Sequence, residues 1–291
     1  MARASRLWLW HVPAAAGAAA ALFFAGAFWL ALRGSAGEPI GSPPPPPAVT
    51  PVARPAGERF VLVLGDSLAK GTGDESGKGY AGVLLELLKK TGPATMANLA
   101  VPGAVSADVA DSVQSANVRS LAASADVILL SAGGNDLSHA VRGSSGSPVR
   151  LTEEVARARA RFLENLKATL GRLREANQTA PIYVLGLYDP FGSDLGGAAP
   201  VSPSAGNASG EPPGPPDTRG PRARLGASVI SGWNLLMQEA ALSYPNVHVV
   251  PTLDLFLARP DYLGIDRFHP GGAGYSAIAM RVHQLLPQNL R

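Results

Sequence analysis

Five short apolar runs, separated by segments with helical spacing, set the strongest limit on what this chain can fold into. They are Arg59–Gly65 (RFVLVLG), Ala94–Ala100, Asp126–Gly133 (DVILLSAG), Pro181–Tyr188 (PIYVLGLY) and Asn246–Pro251. Most are apolar at consecutive positions rather than at alternate ones, which suits strands covered on both faces. Between and after them, Tyr80–Lys90, Ser106–Ala122, Leu151–Ala176, Val229–Leu242 and Gly274–Leu286 carry apolar residues at three- and four-residue spacing and read as helices. In the last of these, Tyr275, Ile278, Ala279, Val282, Leu285 and Leu286 line one face. Thr152, followed by Glu153 and Glu154, reads as a helix start, with early acids at the positive end of the helix dipole. Strand–helix alternation of this kind predicts one α/β domain, residues 59–291, around a mostly parallel five-stranded sheet.

Two stretches fall outside that rhythm. Val12 to Leu32 contains no charged residue, follows Arg3 and Arg6, and precedes Arg33. At about 1.5 Å per residue a helix of this length spans a hydrocarbon core of roughly 30 Å. Trp8, Trp10 and Trp29 suit the two interfaces, and the cations favour an N-terminus inside with the bulk of the chain outside. Residues 1–33 are therefore expected to be a single-pass membrane anchor with an extracytoplasmic domain. The other reading is a signal peptide cut near Gly34-Ser35-Ala36, which would give a secreted protein. Residues 34–58, with Pro43 to Pro47, read as an extended polyproline spacer. The second stretch, residues 190–225, is rich in Gly, Pro and Ser and too poor in apolar residues to fold by itself. It reads as a tolerated insertion, or as a flap shaping the site at the end of the preceding strand.

Composition closes several routes. Cysteine is absent, which removes disulfides, thiolate catalysis and Cys-ligated metals. The net charge of +3 is spread along the chain without a cationic cluster, so nucleic acid is not an expected partner. The glycines and lysine of residues 71–79 (GTGDESGKG) match neither a dinucleotide fingerprint nor a Walker A loop in spacing. No His-Glu-x-x-His is present, and no cofactor is expected. Asp66 and Asp266 could be paired as glycosidase carboxylates, but Ser67 and His269 would then have no role.

The chemistry-bearing residues follow the strands. Ser67, in Gly65-Asp66-Ser67-Leu68, stands at a strand-to-helix transition, where a hydroxyl is exposed beside free N–H groups; the alternative is a plain helix cap. Asn135, in Gly133-Gly134-Asn135-Asp136, offers an uncharged double donor suited to an oxyanion, although the same residues also make a good turn. Asp136 is read as structural. Asp266 and His269, three residues apart in a turn, can lie side by side so that the carboxylate fixes the imidazole tautomer. Gly103, after Asn98, can bring a backbone N–H close to a reacting centre because it has no Cβ. All four segments follow strand carboxyl ends, where open α/β sheets place their crevices.

These blocks, in this order, resemble the GDSL-type, or SGNH, hydrolases. Ser67, Gly103, Asn135 and the Asp266–His269 pair each match one family block, and Gly65–Glu75 is similar to bacterial members that carry an N-terminal membrane segment. The resemblance implies a three-layer α/β/α, flavodoxin-like fold and metal-independent ester hydrolysis through an acyl-enzyme. It implies Ser67, Asp266 and His269 as the catalytic residues, and Ser67, Gly103 and Asn135 as oxyanion donors. Substrate is left open among lipid acyl esters, small esters and acetylated glycans or peptidoglycan. The non-enzymatic alternative is an inactive surface binding module of the same fold.

Overall fold

The computed structural model describes residues 54–144, 147–190 and 221–291. The expected anchor at 1–33, most of the spacer at 34–58 and residues 191–220 of the insertion lie outside them. Among the described residues no helix is long and apolar enough to cross a membrane.

Five strands form one sheet: β1 (Arg59–Leu64), β2 (Ala94–Asn98), β3 (Val127–Leu130), β4 (Ile182–Leu185) and β5 (Val247–Val250). Their order is β2-β1-β3-β4-β5 and every neighbouring pair is parallel. This is the flavodoxin-like order, whose crevice opens at the carboxyl edge between β1 and β3. The helices are α1 (Ser67–Lys70), α2 (Gly79–Lys89), α3 (Ser106–Ser112), α4 (Ala116–Ser124), α5 (Gly134–Gly143), α6 (Pro148–Ala176), α7 (Pro221–Leu242) and α8 (Gly272–Leu285).

The period of two along the strands divides the core. Phe60, Leu62 and Leu64 of β1, with Ile128 and Leu130 of β3, face Phe162, Leu166 and Leu170 of α6 and Trp233 and Met237 of α7. Val61 and Val63, with Val127, Leu129, Tyr183 and Leu185, face Tyr80, Leu84 and Leu88 of α2 and Tyr275, Ile278 and Val282 of α8. Because both faces are covered, the central strands are apolar at every position, and the expected three layers follow. At roughly 1.5–3 kcal/mol per fully buried large apolar side chain, these two clusters dominate the energetics of the domain.

Three helices depart from the sequence expectation. The segment read as one helix over 106–122 is two, because Ser115 starts a new helix by accepting the Val118 N–H at 3.3 Å. Helix α6 begins at Pro148 behind an Ser147 cap, so Thr152 lies inside the helix rather than at its start. Helix α7 begins at Pro221, within the stretch read as insertion. At the other end of the domain, Arg54 of the spacer bonds Asp126 at 2.8 Å and the Ser124 carbonyl at 2.7 Å.

Candidate active site

Four of the five strands end in a turn or loop that delivers part of the candidate site. After β1, Asp66 caps α1 by accepting the Leu68 N–H at 3.0 Å, which places Ser67 at the first helical position. Asp66 is buried, and the Ser131 hydroxyl just past β3 donates to its carboxylate at 2.5 Å. Burial pushes the Asp66 carboxyl above the ordinary carboxylate range, and the bonds from Ser131 and Leu68 offset only part of that.

After β2, Val101-Pro102-Gly103-Ala104 closes a turn with the Ala104 N–H on the Val101 carbonyl at 3.1 Å. Gly103 sits at φ +86, a conformation that the third position of a Pro-Gly type II turn requires. Asn98 ties this turn to α1: its amide donates to the Ala69 carbonyl at 2.8 Å and its oxygen accepts the Ala100 N–H at 3.0 Å. The Val101 N–H bonds the Gly65 carbonyl at 2.9 Å, so the Gly103 turn is fastened to the Ser67 turn directly.

After β3, Asn135 occupies the first turn of α5 and donates from Nδ2 to the Ala104 carbonyl at 2.9 Å. An amide has two such hydrogens, and Ala104 takes one of them. Asp136 accepts the Ser106 hydroxyl at 2.6 Å and the Ser106 N–H at 2.9 Å. It therefore holds the start of α3 rather than its own turn, which is a structural role as expected.

The last contribution comes from the loop between β5 and α8. His269 Nε2 lies 2.9 Å from Ser67 Oγ, and His269 Nδ1 lies 2.6 Å from Asp266 Oδ2. The second carboxylate oxygen of Asp266 accepts the backbone N–H groups of Phe268 at 3.0 Å and His269 at 2.9 Å. Burial pushes the Asp266 carboxyl up, but the bonds from the His269 ring and these two N–H groups outweigh it and hold the group below its ordinary value. An ionised carboxylate only accepts, so Nδ1 carries the ring proton and Nε2 is left to accept from the Ser67 hydroxyl. The arrangement is a hydrogen-bonded serine–histidine–aspartate chain, able to move a proton from the hydroxyl to the imidazole.

The family model for the GDSL-like lipases and acylhydrolases matches residues 63–277, well over half of the chain and including all of these turns. The chain belongs to the GDSL-like lipase/acylhydrolase family. Membership makes it a hydrolase of the GDSL esterase superfamily. This GDSL-like hydrolase is 27% identical over 233 residues to the uncharacterized protein YpmR of Bacillus subtilis (strain 168), covering 78% of this chain and 80% of the relative. Its fold is similar to that of the lipase Lip_vut3 from a goat rumen metagenome, with a TM-score of 0.64 and 21% identity over 80% of this chain and 100% of that one. It is also similar to an extracellular lipase from Streptomyces rimosus, with a TM-score of 0.54 and 18% identity over 76% of this chain and 97% of the other. At such identities the likeness to solved structures is one of fold.

The five residues singled out in the sequence thus fall into two sets. Ser67, Asp266 and His269 are in direct contact, and Gly103 and Asn135 are linked through Ala104. Sequence reasoning does not find the brace formed by Asp66 and Ser131, or the bond that the Tyr188 hydroxyl donates to the Phe268 carbonyl at 2.6 Å. The signal for Ser131 was a hydroxyl directly after the apolar run of β3. The signal for Tyr188 is its place after β4, the one strand whose carboxyl end carries none of the five candidate residues.

Proposed function

We propose that the chain is a serine esterase that hydrolyses carboxylic esters through an acyl-enzyme on Ser67. The observation that carries this reading is the 2.9 Å approach of Ser67 Oγ to His269 Nε2, with Asp266 behind the ring at 2.6 Å. In this scheme the Ser67 oxygen attacks the ester carbonyl as its proton passes to Nε2. Asp266 holds the ring in the reactive tautomer and stabilises the imidazolium that forms. The N–H groups of Ser67 and Gly103 and the Asn135 amide take the oxyanion, each worth about 3 kcal/mol at the transition state. The imidazolium returns the proton to the departing alcohol, and water activated by His269 then releases the acid.

Replacing Ser67 with Ala tests the scheme: turnover of p-nitrophenyl acetate and butyrate should vanish while the circular dichroism spectrum stays unchanged. Turnover equal to the parent would overturn it. Labelling by a fluorophosphonate, mapped to Ser67 by mass spectrometry, separates an active enzyme from an inactive binding module of the same fold.

Acyl esters are the leading substrate class. One observation favours the second reading, an acetylated glycan: an open cleft of about 1100 Å³ adjoins the loop that carries His269. Asp74, Glu75, Ser76 and Lys78 bring polar groups to its wall beside apolar Val83, Leu263 and Ile265, a mix suited to the hydroxyls and C–H faces of a sugar. Acetylated xylan assayed against p-nitrophenyl octanoate decides between them. The uncharged run from Val12 to Leu32 supports a membrane anchor with the enzyme outside. Fractionation of the full chain, with the intact mass of its N-terminus, distinguishes anchoring from cleavage.

A further inference from the structure

We infer that Tyr188 is a positioning residue for His269, acting through the peptide group that joins Phe268 to His269. The inference rests on the esterase reading above. Tyr188 lies three residues beyond β4, on the same sheet edge as Ser67, Gly103 and Asn135. Its hydroxyl donates to the Phe268 carbonyl at 2.6 Å. That carbonyl belongs to the peptide whose N–H, on His269, donates to Asp266 Oδ1 at 2.9 Å. One peptide plane is therefore gripped at both polar ends, by Tyr188 on the carbonyl side and Asp266 on the other. The plane leads directly into the His269 Cα, so its rotation sets where the imidazole points. The Phe268 ring adds a third restraint, packing edge-on against the imidazole with centroids 5.0 Å apart.

Tyr188 is itself held firmly enough to serve as a fixed point. Its ring stacks on Phe256 at 4.3 Å between centroids, and Phe256 is buried and meets Tyr262 edge-on at 5.9 Å. The preceding residue is clamped by α7: the Leu187 N–H donates to Asn234 Oδ1 at 2.7 Å, and Asn234 Nδ2 donates to the Leu187 carbonyl at 2.9 Å. Burial, with smaller contributions from Tyr275, Asp66 and Asp266, pushes the Tyr188 hydroxyl well above its ordinary pKa, so it remains a donor at working pH. The hydroxyl is a point of attachment and takes no part in the proton transfer.

The experiment compares Tyr188→Phe, which keeps the ring stack and removes only the hydroxyl, with Phe256→Leu, which disturbs the stack and keeps the hydroxyl. In the full chain, Tyr188→Phe should lower kcat for p-nitrophenyl butyrate about ten- to a hundredfold, the scale expected of a displaced catalytic group. KM should change less than twofold. The rate of Ser67 phosphonylation should fall by the same factor as kcat, and the downfield proton resonance of His269 Nδ1–H should shift or broaden. Phe256→Leu should instead lower the melting temperature with a smaller loss of kcat. Parent-like kcat and phosphonylation in Tyr188→Phe would overturn the inference, as would equal kcat losses in the two variants at matched stability. An inactive, unlabelled parent protein would defeat the esterase reading itself, a result distinct from either.

Discussion

A Cβ placed on Gly73 would stand 2.7 Å from the Cβ of His269 and 2.8 Å from the Pro270 carbonyl. The loop after α1 therefore runs directly against the residue that completes the hydrogen-bonded chain to Ser67, and Gly73 holds φ +92 there. Gly73→Ala should displace the imidazole and strain the backbone, at a cost of about 1–3 kcal/mol in stability. The expected result is a kcat loss of at least about tenfold with a lowered melting temperature. An Ala variant with parent kcat would show that the loop yields without moving His269.

Asn135→Ala should lower kcat by about 10²- to 10³-fold with little change in KM, because the amide is proposed to act on the oxyanion rather than the ground-state ester. The Ala104 carbonyl also loses its donor, so urea unfolding must be measured beside the kinetics. A loss below about threefold in kcat would remove Asn135 from the oxyanion site.

Asp266→Asn should keep the shape of the loop but favour the wrong imidazole tautomer, lowering kcat by about 10³- to 10⁴-fold. The same residue carries a pH signature. Its folded carboxyl lies below the ordinary 3.8, so its contribution to stability is present above that value and fades as pH falls through it toward the depressed folded value. Urea midpoints measured downward from pH 5 should therefore fall more steeply in the parent than in Asp266→Asn. Parallel curves would contradict the depressed value.

Asp66 behaves in the opposite sense. Burial raises its carboxyl above 3.8, so the folded chain holds that proton more tightly than the unfolded one. Its favourable contribution is greatest below 3.8 and declines as pH climbs through that value toward the raised folded one. Asp66→Asn, still able to accept from Leu68 and Ser131, should gain stability relative to the parent between pH 4 and pH 7. A stability difference that stays constant over that range would reject the raised value. Ser131→Ala, which leaves the buried carboxyl without its closest donor, should cost about 1–3 kcal/mol by urea unfolding.

What could be read in advance was whatever is local. The sheet was legible because burial on both faces makes strands such as Val61–Leu64 and Val127–Leu130 apolar at every position. The candidate residues Ser67, Asn135 and the Asp266–His269 pair could be singled out because each stands in a short turn directly after a strand or before a helix, where few residue types serve both geometry and chemistry. The break at Ser115 was harder, since apolar spacing runs through it and only the cap on Val118 marks the restart. Tyr188 and Ser131 were not legible because their roles are set by partners 80 and 65 residues away in sequence, Phe268 and Asp66. No local pattern encodes a bond of that span.

The hydroxyl of Ser67 and the ring of His269 meet across 202 residues of intervening chain. The sheet order adds to this: β1 is second in the order, and β5, the strand before His269, lies at the far edge with β3 and β4 between them. On the proposed mechanism, hydrolytic competence therefore appears only once β1, β3, β4 and β5 have paired and the loop before α8 has docked. In a refolding experiment the return of activity should trail the return of far-ultraviolet ellipticity, which makes ester turnover a late reporter of domain assembly.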